Sequence, residues 1–305
     1  MRKTGIFAVS LSFLLFSSAS QGQENDEVWI DTMHKSISES VMDSAQWFDN
    51  FFAKANKQED QHALGEVRLR LGWEPRSREL NEFEAKLKVR VKLPNLKNRV
   101  DLILSDYEDN PDDKVRAGRV NDINRQDNFS LALRYKNKPD SGLSHRLGFG
   151  RRFQYFAKSR YRDTANILPD LNLRYDASIY YYNRDGFGSD LGLGLDYDYS
   201  KEMLLRFENR FYFRDKSKDW LWQHSWQALQ QINDRTAVVY GYYIEGLSRP
   251  NYRLEEYLLS VKFRRNTQRE WLFYDIEPFI LWRRDENFSA SFGIALRIEG
   301  FFGER

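Results

Sequence analysis

Apolar and charged residues alternate one by one along much of this chain. In the stretch NEFEAKLKVRVKL, residues 81–93, every odd position from Phe83 to Leu93 is apolar and every even position from Glu84 to Lys92 is charged. Successive side chains of a β-strand point to opposite faces. This period of two therefore predicts strands with one apolar face and one charged face.

The alternation continues from residue 64 to the end of the chain, and short turn-rich stretches separate its segments. It predicts about 12–14 strands in one domain, residues 61–305, with a single long loop at residues 107–126. The predicted strands cover residues 64–74, 82–93, 99–106, 127–136, 143–151, 153–161, 170–182, 189–199, 202–213, 219–230, 235–245, 252–264, 270–282 and 288–298.

Two architectures produce such alternation: a soluble sandwich with one wet face, and a transmembrane barrel with lipid outside and water inside. Many segments run for about 10–13 residues, close to the roughly 9–11 that a tilted strand needs to cross a bilayer. Globular strands usually have about 5–6. A Lys or Arg that faces lipid at the midplane costs roughly 2–4 kcal/mol, so the charged faces must line a lumen. We predict a transmembrane antiparallel β-barrel; the alternative is a soluble periplasmic β-sheet binding protein.

Aromatic residues make up 15% of the chain, and many of them lie near the predicted strand ends on the apolar face. Tyr and Trp favour the membrane–water interface because one edge of the ring stays wet, so two aromatic girdles are expected. The predicted girdle residues are Trp73, Tyr135, Tyr181, Tyr197, Tyr199, Phe211, Phe213, Phe263 and Trp282. Pro278 lies inside a predicted strand and cannot donate to the ladder, so we expect a β-bulge there.

The N-terminal part of the chain has a different pattern. Residues 1–22 have a basic start, a short apolar stretch and small residues before position 22, which is the layout of a secretory signal peptide. Residues 23–60 follow as an amphipathic helix and a polar hinge, the helix at 25–55. Its predicted apolar face holds Ile30, Met33, Ile37, Val41, Ala45, Phe48 and Phe52. Three placements remain open: packed on the barrel, as a plug in the lumen, or on the membrane surface. Outside the barrel, the helix could also bind a periplasmic partner.

The last predicted strand ends in the sequence SFGIALRI, residues 291–298. Ser291, Gly293, Leu296 and Ile298 resemble the C-terminal signal through which the outer-membrane assembly machinery recognises its barrel substrates. The resemblance implies that this machinery is a partner and that outer-membrane lipids surround the protein. The sequence departs from the signal in its tail, because EGFFGER continues past the aromatic Phe302.

Two predicted strands carry opposite charges on their inward faces. Lys86, Lys88, Arg90 and Lys92 belong to one of them, and Asp196 and Asp198 to the other. In a barrel of about fourteen strands these two walls would be nearly opposite each other. One hypothesis is a transverse field across a constriction; the other is a structural lattice in which each charge pairs with its neighbours. The net charge of +2 gives no reason to expect a nucleic-acid partner.

Catalytic and cofactor chemistry has little support in the composition. The chain has no cysteine and four histidines, and it lacks nucleotide-binding and zinc-protease motifs, so no cofactor and no metal site are predicted. Ser144-His145 and His224-Ser225 are the candidates for an outer-membrane lipase or deacylase. Adjacent residues of a strand point to opposite faces, so neither dipeptide forms a nucleophile–base pair by itself.

The last third of the chain resembles a family of mostly uncharacterised outer-membrane β-barrel proteins of proteobacteria. The resemblance covers roughly residues 170–299 and is carried by SIYYYNRDGFGSD (178–190), WLWQHSWQALQQINDRTAVVYGY (220–242) and REWLFYDIEPFILWRRDENFSASFGIALRIE (269–299). It implies a barrel in the outer membrane of a Gram-negative cell and assigns no catalytic residue. We expect a narrow or plugged pore or a structural envelope protein; the alternative is a lipid-modifying enzyme.

Overall fold

The computed structural model describes residues 31–39, 42, 64–80, 82–93, 99–105, 130–138, 141–150 and 154–303. The predicted signal peptide, the polar hinge and the long loop at 107–126 lie outside these residues. Most of the barrel prediction and a short part of the predicted helix can be compared with the structure.

The described residues form fourteen β-strands, and the predicted transmembrane β-barrel is confirmed. They are β1 (Leu64–Trp73), β2 (Phe83–Leu93), β3 (Val100–Ser105), β4 (Ser130–Lys136), β5 (Leu143–Gly150), β6 (Gln154–Leu168), β7 (Leu171–Tyr182), β8 (Gly186–Ser200), β9 (Met203–Arg214), β10 (Asp219–Asn233), β11 (Thr236–Leu247), β12 (Arg253–Asn266), β13 (Leu272–Arg283) and β14 (Ser291–Gly303). A 3₁₀ turn, Arg284–Glu286, connects the last two strands.

Each strand pairs antiparallel with its sequence neighbours, and β14 pairs with β1 to close the barrel. The closing ladder runs from Glu66 opposite Gly303 to Trp73 opposite Leu296. Closure matters because hydrocarbon offers no hydrogen-bond partner to a row of unpaired backbone groups. A closed sheet satisfies these groups without water.

The two ends of the barrel differ in the length of their connections. At one end, which we call the turn rim, the strands are joined by short connections, including the two-residue turns 169–170, 201–202 and 234–235. The other end, the loop rim, includes the connection 106–129 between β3 and β4. Outer-membrane barrels have short periplasmic turns and longer extracellular loops, so the turn rim faces the periplasm. The start of β1 and the end of β14 both lie at this rim.

The sheet exposes apolar side chains on its outer face and buries charged ones on its inner face, which is the reverse of a soluble protein. Outward residues such as Leu147, Ile179 and Phe187 are well exposed, whereas inward residues such as Arg210 and Glu277 are buried. Among the predicted girdle residues, Trp73, Tyr135, Tyr181, Tyr197, Tyr199 and Phe263 are exposed on the outer surface near strand ends. This exterior suits acyl chains bounded by two interfaces.

Several details of the barrel differ from the sequence-based expectations. Pro278 causes no bulge: the register between β12 and β13 is the same on both sides of it, and it remains paired with Ile294 of β14. β13 keeps its alternation, and only its pairing with β12 is interrupted, at Glu277 and Pro278. β6 continues to Leu168 and β14 to Gly303, beyond the predicted ends at 161 and 298. At 162–164 the polar run RDT hides the alternation, and tertiary pairing with β7 extends the strand.

Residues 31–39 form a helix at the turn rim, which we call the rim helix. Among the described residues, no helix is long and apolar enough to span a bilayer. Met33 and Ile37, two described residues of the predicted apolar face, are exposed, and the surroundings of that face stay a prediction. The helix contacts the barrel through polar residues instead: Asp31, His34 and Ser38. The periodicity located an apolar stripe but could not show which stripe faces the barrel.

The assignment of the outer face to lipid can be tested by depth. Leu193 lies in the middle of β8 on the outer face, and Tyr199 lies on the same face at its turn-rim end. We expect Leu193→Arg to destabilise the barrel by roughly 2–4 kcal/mol and Tyr199→Arg by at most about 1 kcal/mol. Urea unfolding in lipid vesicles measures both. Equal costs at the two depths would contradict a lipid-facing band.

Candidate functional site

The predicted charged residues lie on the inward faces of β2 and β8. Lys86, Lys88, Arg90 and Lys92 follow one another on β2, each pointing to the side opposite its apolar neighbours. Asp196 and Asp198 occupy the corresponding face of β8. Since β2 and β8 are six strands apart in a ring of fourteen, these walls are on nearly opposite sides of the lumen.

Three of these six charges, Lys86, Arg90 and Asp196, pair with neighbours on the same side of the lumen. Asp196 accepts two hydrogen bonds of 2.9 Å from Arg206 and contacts Arg174 at 3.0 Å. Arg90 contacts Asp101 of β3 at 3.3 Å, and Lys86 contacts Glu84 at 2.5 Å. Such pairs cancel much of the charge that each wall would present. The geometry therefore favours the lattice hypothesis over two opposed, unscreened walls.

The lattice extends along the inward faces of β6 to β9. Arg160 and Arg162 share the carboxylate of Asp176, with Nε–Oδ distances of 2.8 Å and 3.3 Å. Arg210 contacts Glu208 at 2.7 Å and also lies 3.5 Å from both Asp176 and Asp190. Glycines on β8 make room for these guanidinium groups: a Cβ at Gly194 would lie 2.8 Å from Nη2 of Arg174.

A second ion-pair cluster lies beside the closing seam. Arg297 of β14 contacts Glu74 at 2.8 Å and Glu277 at 2.6 Å, and Glu84 lies 3.8 Å away. Glu299, one step along the same face, contacts Arg70 at 3.1 Å and also pairs with Arg68 and Arg264. Sequence reasoning missed this cluster. The residues come from five strands and a loop, and only the register of the closed barrel brings them together.

In the lumen, several arginine side chains are more exposed to solvent than the carboxylates that pair with them. Six arginine side chains in the turn-rim half keep 20–51% of their surface exposed, while the carboxylates that pair with them keep 1–12%. Glu66 and Asp198 are less buried, and both lie near the turn rim. We call this region the cationic vestibule; its arginines are Arg68, Arg90, Arg162, Arg174, Arg206 and Arg264.

A run of positive charge continues from the vestibule along β4, β5 and β6. Arg134, Arg146 and Lys158 are direct cross-strand neighbours on the inward face. The described inward residues of these three strands include no carboxylate. Arg134 donates to Asp101 of β3 at 2.9 Å, and Lys158 lies over the ring of Tyr180. Like charges placed opposite each other in a sheet are destabilising, so partners on neighbouring strands are needed to hold such a row.

Apolar and aromatic side chains form clusters in the loop-rim half of the lumen, beside buried polar residues such as Asp190, Gln223 and Glu245. One cluster joins Tyr243, Leu258, Phe279, Leu281 and Ala295, all buried on the inward faces of β11 to β14. Others lie next to it around the same end of the barrel. We call the set the apolar layer; its members are Phe156, Tyr182, Tyr212, Leu221, Tyr243, Leu247, Leu258, Phe279 and Leu281. The sequence signalled it weakly, through the runs EEYLLSV and EPFILW in which alternation fails.

The four residues of the C-terminal motif divide between the two faces of β14. Ser291 is fully buried and contacts Arg76 at 3.3 Å. Gly293 leaves space for a ring of the apolar layer, because a Cβ there would lie 2.2 Å from Cζ of Phe279. Leu296 and Ile298 are exposed on the outer face. Each position therefore has a role in the folded barrel, and recognition by the assembly machinery remains a prediction.

The candidate Ser–His pairs are separated by the sheet. Ser144 and Ser225 are buried on the inward face, whereas His145 and His224 are on the outer face. His145 hydrogen-bonds Ser159 at 2.9 Å across the β5–β6 pair, and His224 bonds Asn209 of β9. These contacts satisfy polar groups on the lipid side. In the described part of the chain, no group of three metal-ligating side chains comes together.

At the loop rim, a buried arginine holds two connections together. Arg76, between β1 and β2, contacts Glu286 at 2.6 Å and Glu79 at 2.9 Å. Burial by itself would lower the pKa of Arg76, but the hydrogen bonds to Glu286 and Glu79 outweigh burial and hold the pKa above its ordinary value. Backbone bonds from Ser77 to Phe292 and from Ile294 to Pro75 fasten the same loop onto β14.

Comparison with solved structures finds outer-membrane barrels. An outer-membrane-expressed protein of Vibrio cholerae, OmpT, aligns with a TM-score of 0.50 at 8% identity, over 80% of this chain and 99% of that one. The outer-membrane channel DcaP of Acinetobacter baumannii aligns with a TM-score of 0.45 at 8% identity, over 79% and 96%. OccK11 of Pseudomonas aeruginosa aligns with a TM-score of 0.45 at 10% identity, over 80% and 96%.

At such identities the likeness is one of fold. No protein-family model and no curated protein matches the chain. Together with the apolar exterior, the shared fold shows a transmembrane β-barrel of the outer-membrane type. The more specific resemblance to one proteobacterial family stays a prediction.

The seam cluster gives a test of lattice energetics. Arg297→Met would leave Glu74, Glu84 and Glu277, which are 0–2% exposed, without their shared cation. We expect a loss of about 3–5 kcal/mol of unfolding free energy, because all three carboxylates stay buried after losing the cation they share, and Lys86 and Lys262 reach only Glu84 and Glu277. Lys218→Met, which breaks the exposed loop pair with Asp215, is the matched control and should leave the unfolding midpoint unchanged. Similar unfolding midpoints for the two variants in urea titrations would contradict a stabilising role of the ion-pair cluster around Arg297.

Proposed function

We propose that the protein is a narrow outer-membrane pore that prefers small anions. The observation that carries the proposal is the contrast in the vestibule, where arginine side chains are exposed to water and their carboxylate partners are buried behind them. A solute that enters from the turn rim meets guanidinium groups first. In a low-dielectric wall such a surface raises the local concentration of anions.

The ion pairs also moderate how tightly an anion is held. Arg162 and Arg174 each keep a carboxylate on one side while part of the guanidinium faces water. Conduction needs sites that are favourable enough to enter and weak enough to leave, and a partly neutralised guanidinium meets both needs. The lattice thus gives the vestibule a positive electrostatic potential of moderate strength, spread over several arginine side chains.

The apolar layer supports the proposal that the pore is narrow. Leu258 and Leu281 are almost fully buried in the loop-rim half of the lumen, and Ser291 beside them is also buried. A wide aqueous channel would leave such inward side chains wet. Apolar constrictions of this kind restrict flow by excluding water and large hydrated ions. A closed structural barrel is the second candidate function, and the same tight packing favours it.

Ion selectivity tests the anion preference. We expect the purified protein in planar bilayers to show an anion-selective reversal potential in a KCl gradient. Arg162→Gln combined with Arg90→Gln should move that potential toward zero, because these side chains are the most exposed cations of the vestibule. Lys218→Gln removes the same charge from an exposed loop and serves as control. A cation-selective pore, or a double variant with unchanged selectivity, would contradict the proposal.

Conductance tests the constriction. Leu258→Ala with Leu281→Ala should raise single-channel conductance, because the change opens a cavity in the apolar layer. The same change at two lipid-facing leucines of β8, Leu191→Ala with Leu193→Ala, should leave conductance unaltered. If neither the full-length protein nor the widened variant conducts, the structural-barrel function is favoured over a pore.

A further inference from the structure

The end of β14 has an open edge on one side. The β13–β14 ladder ends with Leu272 opposite Gly300 and a bond from the amide of Phe301 to the carbonyl of Trp271. β14 continues for three more residues, Phe301 to Gly303, and these still pair with β1 on the other side. In an antiparallel strand, the amide and carbonyl of one residue point to the same side, and so do those of the residue two positions further. The carbonyl of Phe301 and the amide of Gly303 therefore face the side where β13 has ended.

The rim helix supplies the missing partners for these backbone groups. Nε2 of His34 donates to the carbonyl oxygen of Phe301 at 2.9 Å, and the Oγ of Ser38 accepts from the amide of Gly303 at 3.2 Å. Four helical residues rise about 6 Å, and two strand residues span about 6.8 Å, so the two spacings match. The side chains of one helical stripe thus replace the absent strand.

Ring stacking and an ion pair hold the helix in this position. The His34 ring stacks on Trp271 at 4.2 Å and on Phe302 at 5.1 Å between ring centroids. Asp31, on the same stripe, pairs with Arg269 in the turn before β13. Phe302 belongs to the outward face of β14, yet it is buried, unlike the exposed Ile298 on that face. These contacts place the rim helix against the rim and the outer face of the closing strand.

We propose that the rim helix is an intramolecular clasp on the closing strand of the barrel and not a plug of the lumen. The surface it occupies is the open backbone edge of Phe301 to Gly303, which would otherwise accept any extended strand. Natural proteins protect such edges by covering them with a helix or a loop. The clasp also completes the hydrogen bonding of β14 where it forms the seam with β1, so it slows fraying of the closed barrel from the periplasmic end.

Hydrogen exchange measures the clasp directly. The variant Asp31→Ala, His34→Ala, Ser38→Ala removes the three contacts, and the amide of Gly303 should then exchange about 2–10 times faster, as expected for one lost hydrogen bond. The matched control is Thr32→Ala, Lys35→Ala, Glu39→Ala, three exposed positions of the same helix that take no part in these contacts. The control should leave the exchange of Gly303 unchanged. Unchanged exchange in the contact variant would overturn the clasp.

Conductance separates a clasp from a plug. Because the contacts lie at the rim and the outer face, the contact variant should conduct like the control variant in planar bilayers. A marked rise in conductance in the contact variant alone would overturn the inference, since it would mean that the helix blocks the lumen. The exchange measurement does not depend on whether the barrel conducts, so the clasp can fail or stand independently of the proposed pore.

Discussion

The structure depends on one constraint: inside a bilayer, every backbone amide and carbonyl of the sheet must find a partner within the sheet. Fourteen strands meet this constraint by closing β14 onto β1. Once closed, the sheet has a hydrocarbon side and a lumen side, and each strand must alternate between them. Alternation, strand length and the aromatic girdles are consequences of this closure, and they were readable in the sequence for that reason.

Closure also explains the density of charge in the lumen. The outer face accepts few polar groups, so polar residues collect inside, where several of them are almost fully buried. A buried charge is tolerated when it is paired, and the lattice from Arg160 to Arg210 and the cluster around Arg297 provide that pairing. The paired groups nevertheless differ in how far they are exposed to water. Water reaches guanidinium groups in the vestibule more than it reaches carboxylates, and this imbalance is the reason for proposing a preference for anions.

The sequence predicted the faces of strands well and the contacts between them poorly. Lys86 to Lys92 could be assigned to one face because a period of two depends on a single strand. The partners of Arg297 could not be foreseen, because they depend on how fourteen strands are staggered around the ring. The apolar layer was missed because inward leucines such as Leu258 look like any apolar run. The surroundings of the rim helix stayed open in the sequence, because amphipathicity does not say which neighbour a face meets.

The closing strand shows how several demands meet in one short segment. Toward lipid, β14 presents Leu296 and Ile298; toward the lumen, Gly293 admits the ring of Phe279. Its loop-rim start is fastened by the connection that carries Arg76, and its turn-rim end is covered by His34 and Ser38. Both ends of the seam are thus secured by segments outside the sheet. A seam needs this more than other strand pairs do, because no hairpin turn joins β14 to β1, and side chains have to supply the local tether that a turn provides elsewhere.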